Sequence, residues 1–144
     1  MIRNAEQLLC WFILLWGIAC SSEPNPEPIR VGEDMCAYCR MAIIEPVFAS
    51  EAIQLSGEVL KFDDLACLAA GAKTGTTPDL RRIFVHDYVT REWLAGVDAA
   101  VVQGSALQTA MGSGSAAFAS REAAQKFVAE QGGQILSLQE FLSR

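Results

Sequence analysis

The segment Met35-Cys36-Ala37-Tyr38-Cys39-Arg40-Met41 holds sulfur donors at spacings that can do chemistry. Two cysteines three residues apart converge in a turn. If the backbone is extended from Cys39 onward, Cys39 and Met41 share a face, because residues two apart do so in a strand. Two thiolates and a thioether aimed at one volume favour Cu(I). Zinc sites use thiolate, imidazole and carboxylate, and thioether is not among them. The same residues admit other readings. Cys36 and Cys39 can form a plain disulfide, and Met41 can be the first core residue of a strand. A thioredoxin-like redox pair normally opens a helix within a βαβ unit, a context this stretch lacks.

A second place is Thr109-Ala110-Met111-Gly112-Ser113-Gly114. Glycine lets a loop approach a ligand closely, and a methionine in such a loop is less obviously a core residue than one on a helix face. Gly112 to Ala117 also spells G-x-G-x-x-A, but no parallel βαβ unit surrounds it. His86, the single histidine, sits beside Asp87. A structural role is the first reading, and a fourth or tuning ligand the second. One imidazole excludes a His-rich zinc centre, and no G-x-S-x-G elbow accompanies it. Cys67 reads as a small buried hydrophobe in a helix. Asp63 and Asp64 read as helix cap and surface.

The elements that must position these residues fall into two similar runs. In the first, Ala42 to Leu55 is a strand pattern broken at Pro46, Ser56-Gly57-Glu58 turns the chain, and Val59 to Phe62 returns. Asp63 is a plausible cap for a helix from Asp64 to about Ala70, with Gly71 as its stop. Arg81 to Val89 is the next strand. In the second run, Ala99 to Gln103 and Ser115 to Ala119 are strands, Ser120 caps a helix to about Gln131, and Gln134 to Leu136 is a strand. Ser137-Leu138-Gln139-Glu140 has capping-box spacing. Each run reads strand, strand, helix, strand, predicting an α+β head with antiparallel sheet. The expected organisation is a signal peptide over 1–19, a tether over 20–31 and a head over 32–144, with halves of about 32–96 and 97–144.

The amino terminus supports that division. Leu8 to Ile18 is apolar throughout. It is shorter than the roughly 18 to 20 residues that span a bilayer and suits a secretory h-region. It ends in Gly17-Ile18-Ala19-Cys20, similar to the lipobox of bacterial lipoproteins, with Gly17 in place of the usual aliphatic residue. Cys20 is therefore the expected lipidation site. Pro24, Pro26 and Pro28 follow, and alternate prolines favour an extended, solvated spacer. Cys36, Cys39 and Cys67 then remain in the head, too few for a disulfide scaffold. The net charge of −6 and a pI near 4.7 make nucleic acid a poor partner.

Taken together, these residues resemble the NosL family, the copper-binding accessory lipoproteins of nitrous oxide reductase maturation. The resemblance rests on Cys20, Cys36, Cys39-Arg40-Met41, Phe62-Asp63-Asp64, Val85-His86-Asp87-Tyr88, Met111-Gly112-Ser113-Gly114 and the junction at Phe118. It departs from the family pattern at Arg40, where glycine or glutamine is common, and at Ala110, where proline often stands. The resemblance implies a lipid-anchored Cu(I) chaperone facing the periplasm, with the outer membrane favoured by Ser21. The implied ligands are Cys36, Cys39, Met41 and Met111. Implied partners are nitrous oxide reductase or another copper acceptor and an ABC-transporter-type maturation complex. The implied fold is a pair of ββαβ units, similar to organomercurial lyase. Arg40 beside a thiolate is expected to lower its pKa. The alternative function is an envelope thiol-disulfide protein acting through Cys36 and Cys39.

Overall fold

The structure, a computed structural model, describes residues 24–77 and 80–144. The expected signal peptide and lipidation site lie outside those residues.

The chain builds two antiparallel sheets. The first holds β1 (Ser50–Gln54), β2 (Val59–Phe62), β3 (Leu80–His86) and β4 (Trp93–Ala95) in the order β2-β1-β3-β4. The second holds β5 (Ala100–Gln103), β6 (Ala116–Phe118) and β7 (Gln134–Ser137) in the order β6-β5-β7. Helix α1 (Leu65–Thr74) lies between β2 and β3 in sequence, α2 (Arg121–Gln131) between β6 and β7, and α3 (Leu138–Ser143) closes the chain. This is the α+β fold expected from the sequence.

The two sheets repeat one plan. In each, the first strand is central, the second pairs on one side, and the strand after the helix pairs on the other. Ser50 faces Phe62 on β2 and Val85 on β3. Ala100 faces Phe118 on β6 and Ser137 on β7. The two phenylalanines close corresponding strands and both are buried. Each contributes about 1.5–3 kcal/mol by leaving water.

Three local readings change. The N-cap of α1 is Asp64, whose side chain accepts from Ala66 N at 2.8 Å. Asp63 is left free for another use. Gly71 does not stop the helix, because it sits where the helix presses on Phe62. A Cβ there would stand 3.2 Å from that ring. The left-handed cap is Gly75, at φ +76°. Pro46 opens a 3-10 turn, Pro46–Phe48, so the strand begins only at Ser50. Strand β4 was not expected, being too short to show alternation.

One core is shared by both sheets. Ala52, Phe62, Leu65, Leu68 and Val85 of the first run pack with Val101, Ala117, Leu136 and Phe141 of the second. A smaller cluster of Val102, Ala116, Phe118 and Ala124 lies against α2. Adjacent residues on β5 and β6 thus serve opposite faces, as the pleat requires.

The segment read as a solvated spacer is partly attached. Glu27 N donates to Glu51 Oε2 at 3.0 Å, and Lys61 Nζ donates to the carbonyl of Pro28 at 3.1 Å. Glu51 is fully buried on the central strand, and burial pushes its carboxyl pKa up.

Candidate metal centre

Four donor side chains converge where β2 meets α1. Cys36, Cys39 and Cys67 Sγ and a carboxylate oxygen of Asp63 all lie within 4.8 Å of one another. Two chain segments deliver them. Phe62 ends β2 and turns Asp63 inward, while the third residue of α1, Cys67, points back at it. The loop from Cys36 to Met41 supplies the other two sulfurs.

That loop is fastened by its own backbone. Cys36 N donates to Met41 O at 2.8 Å and Arg40 N to Cys36 O at 3.0 Å. Met35 and Ala42 form a bridge below it. Ala37 N donates to Lys61 O at 2.8 Å, joining the loop to β2. The side chain of Lys61 completes the attachment, with Nζ 2.8 Å from Asp34 Oδ2. Both side chains are nearly buried, at 9% and 6% exposure. Arg30 adds a second partner to Asp34 at 2.8 Å. The ion pair therefore ties a residue two before Cys36 to a residue two before Asp63.

The backbone does not run extended from Cys39. Arg40 has φ +64°, in the left-handed region. The alternation that would put Cys39 and Met41 on one face is broken there. Glycine adopts that conformation without steric cost, whereas Arg40 takes it with a side chain in place.

The charge states within the cluster differ. Cys36 is lowered to about 6, chiefly because the Cys67 thiol hydrogen-bonds to it. That same bond, with burial and nearby Asp63, pushes Cys67 far up. Burial raises Cys39, whose Sγ lies 3.6 Å from both Asp63 oxygens. The lowering of Cys36 thus has Cys67 as its main cause, and the expected part for Arg40 is not borne by this geometry. All three cysteines are unpaired by disulfide.

The sequence-derived set is divided by the structure. Cys36 and Cys39 are in the cluster. Met41 and Met111 stand at the surface, 48% and 44% exposed. Met41 lines a cavity of about 450 Å³ together with Asp63, Ile44, Glu45 and Ala110, the neighbour of Met111. The Met111 loop is held by Asp64. Thr109 Oγ1 and Met111 N donate to its Oδ2 at 2.6 and 3.0 Å, and Ser113 Oγ donates to Oδ1 at 2.8 Å. Gly114, at φ +59°, closes the loop base, where Ser105 N and Oγ both donate to its carbonyl. A side chain at Gly114 would collide with Ser105 backbone.

Asp63 and Cys67 are the cluster members the sequence reading missed. Their pairing across the start of a helix was the available signal, because residue 63 precedes the cap and residue 67 lies one turn on. His86 stands apart. It is buried, its Nδ1 bonds to Ala49 O at 3.1 Å, and its ring packs on Trp93 at 3.7 Å between centroids.

Three thiols and a carboxylate can hold a thiophilic cation, and Met41 lines the cavity that Asp63 borders. The family model for NosL matches residues 29–143. The chain belongs to the NosL family. Its fold is that of the copper chaperone NosL from Shewanella denitrificans, at TM-score 0.71 and 20% identity, covering 82% of this chain and 96% of that one. The apo-NosL protein from Achromobacter cycloclastes aligns at TM-score 0.49 and 28% identity, over 64% of this chain and 82% of that one. No curated protein sequence matches the chain.

Proposed function

We propose that this NosL-family chain is a Cu(I) chaperone that passes copper to an acceptor such as nitrous oxide reductase by ligand exchange. The reading rests on one observation above all. Cys36, Cys39, Cys67 and Asp63 converge within 4.8 Å, beside a cavity that Met41 also lines. Thiolate and thioether are soft donors and select Cu(I).

The gradient of exposure suits transfer more than storage. Cys36 and Cys67 are buried, Cys39 is half-buried, and the methionines are exposed. Copper released stepwise from the inner sulfurs meets Cys39 and then thioether, and an incoming ligand replaces them one at a time. Cu(I) tolerates such mixed sets, so the exchange needs no catalytic acid or base. In this proposal Cys20 carries a lipid and holds the head at the periplasmic face of the envelope, with the outer membrane favoured. An ABC-transporter-type maturation complex is the proposed assembly partner.

The test is an anaerobic Cu(I) titration of the full chain against a colorimetric Cu(I) chelator, repeated with Zn(II). The chain should bind Cu(I) tightly near one equivalent. The Met41→Ala, Met111→Ala double variant should lose Cu(I) affinity and keep most of its Zn(II) affinity. Equal loss for both metals would mean a folding defect, and an unchanged Cu(I) affinity would remove the thioethers from the site.

A further inference from the structure

The cluster holds one more sulfur than a Cys-x-x-Cys pair needs, and that sulfur lies on the inner side. Cys36 is 0% and Cys67 1% exposed, and their sulfurs lie within 4.8 Å of each other and of Cys39 Sγ. Cys39 is the one member of the trio that solvent reaches. We infer that Cys39, Cys36 and Cys67 form a disulfide relay, with Cys39 as the entry point and a buried Cys36–Cys67 disulfide as the stable oxidised form.

The steps follow from who can reach whom. A small-molecule disulfide, R–S–S–R, is attacked by the Cys39 thiolate, giving a mixed disulfide and one R–S⁻. The Cys36 thiolate attacks Cys39 Sγ and expels the second R–S⁻, forming Cys36–Cys39. The Cys67 thiol then attacks Cys36 Sγ, its proton passing to the departing Cys39 sulfur, so that Cys39 leaves as a thiol. Two protein thiols have lost two electrons and two protons, and R–S–S–R has become two R–SH. The last step is an exchange with no net oxidation.

Two features favour the inner product. A Cys36–Cys39 bridge closes a tiny loop, whereas Cys36–Cys67 closes one that includes all of β1 and β2, and a longer loop restricts the unfolded chain more. The inner bridge also leaves the left-handed turn at Arg40 as it is, with Cys36 N still bonded to Met41 O. The consequence for metal rests on the function proposed above. Oxidation removes both inner sulfurs from the donor set, leaving Cys39 and the methionines.

The full chain would be reduced, incubated with oxidised glutathione, alkylated, and cleaved after arginine and lysine. Cys36 and Cys39 then share peptide 31–40, and Cys67 falls in peptide 62–73. The expected product links the two peptides through Cys36, with Cys39 alkylated. A bridge inside peptide 31–40, a Cys39–Cys67 link or a persisting glutathione adduct would overturn the relay. Cys67→Ser should stop at Cys36–Cys39. Cys39→Ser should slow oxidation by about tenfold or more, since a buried thiol reacts slowly, and an unchanged rate would remove Cys39 as the entry point. The oxidised chain should lose tight Cu(I) binding, and full retention would overturn the gating. If the reduced chain itself fails to bind Cu(I), the chaperone reading fails, while the disulfide map still decides the relay.

Discussion

The two halves of the head share a plan and differ at one junction. β2 ends at Phe62 and runs into Asp63-Asp64, and β6 ends at Phe118 and runs into Ala119-Ser120, at matching register. Asp64 and Ser120 are both N-caps. Where the first half places Asp63 and Cys67, the second has Ala119 and Ala123. The repeat supplies the scaffold twice and the donors once. The second half contributes in another way. Its loop from Thr109 to Ser113 is gripped by Asp64, and its Ala119 N donates to Asp87 Oδ1 at 2.9 Å. Both carboxylates that join the halves therefore belong to the half that carries the cluster. The fold dictates where a helix starts, while the side chains at that start decide whether the junction binds anything.

The comparison can be broken most forcefully at the donors. Cys36→Ser, Cys39→Ser should weaken Cu(I) binding by more than about a hundredfold, since even the loss of an outer-shell partner costs about 10–100-fold. Ala119→Ser and Ala123→Ser, at the corresponding places, should leave it within about twofold by the same reasoning. A chelator competition reads both. Comparable losses would mean that the junctions are not distinct.

The caps give the next contrast. Asp64→Ala removes a helix cap and three ties to the Met111 loop from a buried site. It should cost about 3 kcal/mol or more in urea unfolding, summing a cap and several buried bonds. Ser120→Ala, at the equivalent but exposed cap, should cost about 1 kcal/mol. Equal costs would show that the loop does not depend on Asp64.

Asp87 tests the tie between halves by pH. Burial raises its carboxyl, but hydrogen bonds from Thr90 N, Ala119 N and Thr90 Oγ1 outweigh that and hold it below the ordinary value. A lowered folded pKa contributes stability that is complete above the unfolded value of about 3.9 and is lost as pH falls through the folded value. Asp87→Asn should cost about 2 kcal/mol at neutral pH. Its deficit should shrink below about pH 4, where the wild type loses the same contribution. A gap constant from pH 7 to pH 3 would exclude this role. The smallest effect is at the left-handed turn. Arg40→Gly should stabilise by about 0.5–1 kcal/mol, the relief of a positive φ less the cost of a freer unfolded chain. A destabilised variant would show that the Arg40 side chain contributes more than its backbone strain costs.

Much of this was legible from the chain. Short apolar runs between turn residues located β1, β2, β3, β5, β6 and β7, and Ser120 and Ser137 announced α2 and α3, because turn and cap chemistry are local. The α1 boundaries were misread for non-local reasons. Gly71 lies within the helix, where a Cβ would press on Phe62 at 3.2 Å, a fact of packing across β2. The candidate cluster was half legible. Cys36 and Cys39 are close in sequence, so a turn suffices to join them. Asp63 and Cys67 each have an ordinary local meaning, as cap and small hydrophobe. They join the cluster because the loop that carries Cys36 is tied over the start of α1 by the Lys61–Asp34 pair. The Cys39–Met41 alternation failed because one residue, Arg40, turns left-handed.

The attachment of Glu27 to Glu51 also sets a length. A lipid on Cys20 would be separated from the first fixed point of the head by seven residues, not by the whole proline-rich segment. Even fully extended, that leash spans only roughly 25 Å. A head held so short cannot sweep a wide volume above the lipid surface. Its acceptor would have to come down to it.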